Sequence, residues 1–313
     1  MIGPRAFSSL DYLALEAERL GGVPERLFWS GRPFDVIKRT VPGTASHMDI
    51  TSVYGYPDFP SVAEASVHQR SGFEVLRQQA TARGIVAGYV RMGLREPIPN
   101  LPDGGMAVCV SVGDVVSVDL RRSSDAIFAD YRKQLRNELR KPTSLEIALD
   151  GDIAAFHRMY VETMQRVGAS QDYFFTLEYL TALHRLDGVS LVIARSEGRP
   201  VCGAIIITQG STLFYHLGAT ADAALHESPI KRLLHDIIIN HANGAYEELV
   251  LGGGFGAGES NLLRFKRGFS KRVHTARALR FVFQSDVYRR LSHINGALDL
   301  SNGFFPAYRA PRS

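Results

Sequence analysis

The feature that most constrains this chain is a change of period. Residues 190–195, 201–208 and 212–217 alternate or run apolar as strands do, and only the short turns SEGR and GS separate them. Turns that short leave no room for a crossover, so the three runs are expected to form an antiparallel meander. Helical periodicity brackets it. Residues 152–167 place Phe156, Tyr160, Thr163 and Val167 on one side, and residues 176–186 give a shorter helix. Pro229 opens a third helix carrying Leu233, Leu234, Ile237, Ile238 and His241, and a short strand ending in Leu249 and Leu251 follows.

That strand runs into LGGGFGAGESNLLRFKRGF, residues 251–269, with five glycines in seven positions ahead of a basic segment. Glycines let the backbone approach a ligand with no Cβ in the way. Gly253 and Gly254 are therefore candidate substrate-facing positions, and Lys266, just past the turn, is a candidate cation for a developing negative charge. Two nucleotide readings fail. Gly252, Gly254 and Ala257 fit GxGxxA, but that motif belongs in a first βαβ unit with an acidic residue about 20 positions on. No Lys-Ser or Lys-Thr pair follows the glycines at the offset of a phosphate loop.

At 313 residues and 45% apolar composition, two compact units are expected. Cys109 and Cys202 lie outside any CxxC spacing, which points to neither a disulfide framework nor a zinc site and fits a reducing cytoplasm. No segment approaches the roughly 20 apolar residues of a membrane span. The net charge of +4 permits a polyanionic partner.

The first half reads as a helix capped by Ser9, strand-like runs at 27–29 and 36–37, and an aromatic and proline loop, YGYPDFP, at 54–60. A helix over 61–83 and strands at 85–92, 106–112 and 115–120 complete it. Residues 125–141 read as one continuous helix, capped by Ser124 and stopped by Pro142, with Ile127, Phe128, Tyr131, Leu135 and Leu139 inward. Its outer stripe holds Lys133, Arg136 and Arg140. With Arg267 and Lys271 beyond the glycine turn, these cations suit RNA phosphates or form ordinary solvated faces.

Helix, helix, three antiparallel strands, helix and strand is the order of the GNAT-type acyl-transferase fold, and the first half gives a rougher copy of it. Six stretches go further: VYGYP (53–57), VSVDLRRS (116–123), RNELRK (136–141), YVETMQRVGA (160–169), FYHLGAT (214–220), and LGGG with FKRGF (251–269). Together they resemble the Fem family, aminoacyl-tRNA-dependent transferases that build peptidoglycan cross-bridges and, in related branches, modify peptidyl natural products. The resemblance covers most of the chain. It implies an α/β (α+β) fold of two GNAT-like domains with mixed, mostly antiparallel central sheets; no insertion here is long enough for a coiled-coil arm. The expected domains are 1–118, rejoined by 284–313, and 119–283 with the catalytic end.

By position, the resemblance makes Lys266, the lysine of the FK pair, the residue that stabilises charge on the reacting ester or its ribose. It gives substrate contacts to Arg166 and to Tyr215, and it makes Lys38 in VIKR a cation for the phosphates of a nucleotide-linked acceptor. Tyr56, in the VYGYP loop, is a further substrate-binding candidate. A second tyrosine of the family pattern is Leu217 here.

An aminoacyl ester is already activated, so transfer to an amine needs no ATP, metal or cofactor beyond aminoacyl-tRNA as co-substrate. It needs a deprotonated amine, close positioning and stabilisation of the tetrahedral oxyanion. Asp119, Tyr215, His216 and Glu259 are candidate proton partners. Simpler readings stand beside these: Lys266 as a solvated cation at a helix end, Arg166 paired with Glu162 one turn away, and Tyr56 packed on its own loop.

The expected activity is amide formation on a peptidyl, amino-acid or cell-wall-precursor amine. An acyl-CoA N-acyltransferase is the alternative, although the place of its RxxGxG or RxxGxA pyrophosphate loop reads ATADAALHESPIKRLL, without glycine. A non-catalytic RNA-binding protein on the same fold is the third reading.

Overall fold

The computed structural model describes residues 3–60, 69–102, 105–254 and 260–311. The chain forms two compact units, one of Phe7–Val112 with Thr275–Ser313, the other of Met1–Ala6 with Gly113–His274. Both main boundaries fall inside strands rather than in linkers.

The first unit begins α1 (Leu10–Arg19), β1 (Val23–Trp29), β2 (Arg32–Thr40), β3 (Met48–Thr51), α2 (Gln69–Ala82) and β4 (Ile85–Arg91), and then enters β5 (Ala107–Asp119). The second contains the end of β5, α3 (Ser124–Asp130), α4 (Lys133–Leu139), β6 (Glu146–Leu149), α5 (Ile153–Arg166) and α6 (Leu177–His184). It continues with β7 (Val189–Ser196), β8 (Arg199–Gln209), β9 (Thr212–Thr220), α7 (Pro229–His241), β10 (Glu248–Gly253) and α8 (Asn261–Lys266). β11 (Arg272–Val282) leads back to the first unit, where α9 (Ser285–Ser292) follows. Among the described residues no helix is long and apolar enough to cross a membrane.

Local chemistry sets these elements. Ser9 Oγ accepts the Tyr12 amide at 3.1 Å and starts α1. Ser30 and Gly31, both at positive φ, close the β1–β2 hairpin between Trp29 and Arg32, the geometry that matches strand twist. The first unit buries Leu27, Trp29, Val36, Ile50 and Phe281 together. In the second, Val116 and Val118 of β5, Leu249 and Leu251 of β10, and Leu233 and Ile237 of α7 share a core with Tyr131 and Phe269.

Both units contain a mixed sheet, and both repeat one order: helix, three antiparallel strands, helix, and a strand parallel to the third. In the first unit the parallel pair is β3 and β4; in the second it is β9 and β10. The β7–β8–β9 meander lies where the period-two runs place it.

Three expectations change. The single helix over 125–141 is broken, because Tyr131 is extended (φ −61°, ψ 149°) between α3 and α4. Its ring is buried against Phe269 at 5.2 Å and Phe128 at 5.4 Å, while Arg136 donates to the Ala129 and Tyr131 carbonyls left over at the end of α3. Core packing of one aromatic outweighs helix propensity here. The runs at 106–112 and 115–120 are one strand, β5, in which Gly113 adopts φ +126°. β3, β11 and α9 were not expected from periodicity, and the start of the helix over 61–83 lies outside the described residues.

Candidate active site

β9 and β10 pair only from Glu248–Thr212 to Val250–Phe214. Beyond that point β9 stays with β8 as far as Thr220, and β10 stays with β5 as far as Gly253. Each strand bulges where they part: His216 is the extra residue opposite Ile205 and Ile206, and Leu251 is skipped between Val250 and Gly252. Bulges bend a strand away from its neighbour, so the parallel pair opens at its C-terminal end. In the first unit the equivalent pair stays joined to the end of β3, where the Ser52 amide still donates to Tyr89 O at 3.0 Å.

Lys266 bridges the opening. Ser260 caps α8 by accepting the Leu263 amide at 3.1 Å, and Leu263 packs into the core with Phe265 against it. This anchoring turns Lys266 inward, with 7% of its surface exposed. Its Nζ donates to Gly253 O on β10 at 2.7 Å and lies 5.9 Å from the centroid of the Tyr215 ring on β9. Burial lowers its pKa from 10.5 to about 7. The simpler reading of a solvated helix-end cation does not describe this lysine.

The surrounding glycines are required by contact. Gly252 sits at φ +86°, and a Cβ there would lie 3.0 Å from Lys266 Nζ. A Cβ on Gly254 would lie 2.1 Å from Ser260 Oγ, the cap of α8. Gly254→Ala is therefore expected to dislodge the cap, costing about 1 kcal/mol of stability together with activity; thermal melting and turnover measured on one preparation check both. A Cβ on Gly218 would fall 1.7 Å from Tyr215 Oη, so the phenol occupies the space of a missing side chain. Burial holds that phenol well above its ordinary pKa, which keeps it neutral under the cation. Gly218 was not singled out from the sequence. A glycine inside the apolar strand run FYHLGAT was the available signal.

The structure thus brings together Lys266, Tyr215, Gly253 and Gly254. The other candidates are placed as follows. Arg166 pairs with Asp222 rather than Glu162 and donates to Thr163 Oγ1 at 3.2 Å, while Glu162 accepts the Asp222 amide at 2.8 Å. In the first unit, Lys38 is ion-paired to Glu25, which also meets Arg83 at 3.0 Å. Tyr56 is half-buried with its ring 6.4 Å from Phe7, and burial pushes its pKa up to about 12.

Among the basic residues, Arg267 pairs with Asp114 at 3.0 Å and Arg140 lies 5.7 Å over the Phe128 ring. Lys133 and Lys271 are exposed. Asp119 is bonded to Arg121, which with Arg272 holds its carboxyl at about 2, so it remains an anion near neutrality. His216 is the half-buried bulge residue, and Glu259 lies outside the described residues.

Residues 129–267 match the family described as acetyltransferase (GNAT) domain. No curated protein is matched by the sequence. Among solved structures, the chain is similar to FemX, with a TM-score of 0.68 at 10% identity over 92% of this chain and 94% of that one. It is also similar to a conserved protein of unknown function from Bacteroides thetaiotaomicron VPI-5482, with a TM-score of 0.56 at 12% identity over 90% of this chain and 93% of that one. At such identities the likeness is one of fold. The opening between β9 and β10, its glycines and Lys266 all lie in the matched segment, so the part of the chain that is similar to a GNAT acetyltransferase domain holds Lys266 in its strand opening.

Proposed function

We propose that the protein transfers the aminoacyl group of an aminoacyl-tRNA to the amine of a peptidyl, amino-acid or cell-wall-precursor acceptor. The observation that supports this most is the buried Lys266 cation held across the open strand ends, its Nζ bonded to Gly253 O and, among the described residues, paired with no carboxylate. In the reaction, the free amine attacks the ester carbon and the carbonyl becomes an oxyanion. The Lys266 ammonium donates to that oxygen or to the departing ribose oxygen. Collapse breaks the ester C–O bond, and the proton lost by the amine ends on the released ribose hydroxyl. A single preorganised donor of this kind is worth about 10²- to 10³-fold in rate.

The geometry of the β9–α7 loop weighs against a CoA donor. A pyrophosphate there would need free backbone amides, but those of Ala221, Asp222, Ala224 and Ser228 already donate to Val201 O, Glu162 Oε2, Ala221 O and Leu225 O. Pro229 at the first turn of α7 has no amide to give. The Asp222 and Glu227 carboxylates flank the same loop. The Fem resemblance of the six sequence stretches agrees with an ester donor.

The test is a mixture of charged tRNAs, with and without acetyl-CoA, following labelled acyl groups onto candidate amines. Transfer from charged tRNA alone is expected. Transfer from acetyl-CoA alone would overturn the proposal, and transfer from neither would favour the non-catalytic RNA-binding reading.

A further inference from the structure

A groove of about 280 Å³ runs between α4, the start of α7, and α8, lined by Arg132, Leu135, Glu138, Lys231, Arg264 and Phe265. A second cleft of about 460 Å³ shares Glu138 and Lys231 with it and adds Lys141 and Arg232. Between them the groove and the cleft are lined by five permanent cations, which outnumber the carboxylates of Glu138 and Glu227.

The cations are held in place by the fold. Arg132 donates its amide to Gly268 O at 2.8 Å and its guanidinium to Arg264 O at 3.0 Å, tying α4 to α8. Arg232 donates to Leu139 O at 2.8 Å and Glu138 O at 2.9 Å, closing the end of α4. Lys231 is ion-paired to Glu138. Arg132 and Arg264 nevertheless remain exposed. α8 belongs to both places: Arg264 and Phe265 face the groove, and Lys266, the next residue, turns into the strand opening.

We infer that this groove carries the phosphodiester backbone of an RNA donor, with Arg132, Lys231 and Arg264 as its phosphate contacts; the inference rests on the aminoacyl-tRNA reading above. A groove lined by Arg132, Lys231 and Arg264 and sharing α8 with the strand opening suits a polyanion read by charge rather than by base. It also replaces part of the set expected from sequence. The Arg136 and Arg267 guanidinia are turned to the Ala129 and Tyr131 carbonyls and to Asp114, and both residues are half-buried, whereas Arg132 and Arg264 of the groove are exposed.

The test uses an uncharged acceptor-stem RNA hairpin ending in CCA, with binding followed by fluorescence anisotropy across a salt series. Removing Arg132, Lys231 and Arg264 together to alanine is expected to weaken binding about 10- to 100-fold and to flatten the log-log salt slope by about 2 to 3. The pair Lys133→Ala and Lys271→Ala, exposed cations outside the groove, should change affinity less than about threefold. A thermal melt confirms folding; if the triple variant does not fold, Arg264→Ala alone should flatten the slope by about 1. Equal or larger losses from the Lys133 and Lys271 pair, or an unchanged slope in the groove variants, would overturn the groove. Should wild type transfer from charged tRNA while the groove variants bind RNA normally, only the groove falls. Absence of both RNA binding and transfer in wild type removes the functional reading with it.

Discussion

Lys266→Met is expected to give a folded protein whose turnover falls about 10²- to 10³-fold and whose stability near pH 6 exceeds that of wild type. Both effects have one cause. Burying the ammonium lowers its pKa from 10.5 to about 7, so between those values the unfolded chain holds a proton that the native chain has released. Stability of the wild type therefore rises with pH across that window. Below pH 7 the native state bears the full penalty of a buried charge, about 5 kcal/mol. Methionine fills similar volume without that charge and loses the bond to Gly253 O and the cation–π contact with Tyr215. The gap in melting temperature between variant and wild type should be positive at pH 6 and shrink towards pH 10. A gap independent of pH would contradict the burial.

The same titration sets the direction of the rate profile. The oxyanion role requires the ammonium, so kcat/KM referred to the concentration of unprotonated acceptor amine should decline as pH rises through about 7. A lysine acting as base would produce a rise instead. Lys266→Arg, which stays charged, should remove the decline.

Much of the second unit was readable because its signals are local. The meander follows from period two and two short turns, and α7 starts at Pro229 because that residue suits a first helical turn. The glycine turn and Lys266 stood out as a pattern, but the burial of Lys266 did not, since it depends on α8 being pinned by Leu263 and the Ser260 cap. What escaped was non-local. Tyr131 breaks a helix for the sake of Phe269, which is distant in sequence, and Arg136 turns inward to cap the break. The groove could not be read at all, because Arg132, Lys231 and Arg264 come from three separate helices or their caps. β11 was hidden because Arg272, His274, Arg277 and Arg280 interrupt its apolar residues and two of its buried positions are the small Ala276 and Ala278.

Asp49→Ala is expected to destabilise the first unit by about 3–5 kcal/mol, the range for removing one partner of a buried charge cluster. Asp49 is fully buried on β3, and its carboxylate accepts from Arg39 at 3.1 Å and from Arg309. Arg309 also donates to Thr40 O at 2.6 Å, while Arg280 donates to the carbonyls of Leu300, Asn302 and Gly303. Two arginines thus fasten the returning C-terminal residues onto β2, β3 and β11, and one buried carboxylate neutralises the first of them. Without it, Arg39, already disfavoured as a cation by burial, would face Arg309 with nothing between them. Arg309→Ala should cost less, since Arg39 then keeps Asp49. Denaturant unfolding should rank the variants in that order, and amide exchange should quicken first around residues 299–311. Near-native stability of Asp49→Ala would mean that the aromatic packing of Tyr288 on Phe305 and Tyr308 holds the segment by itself.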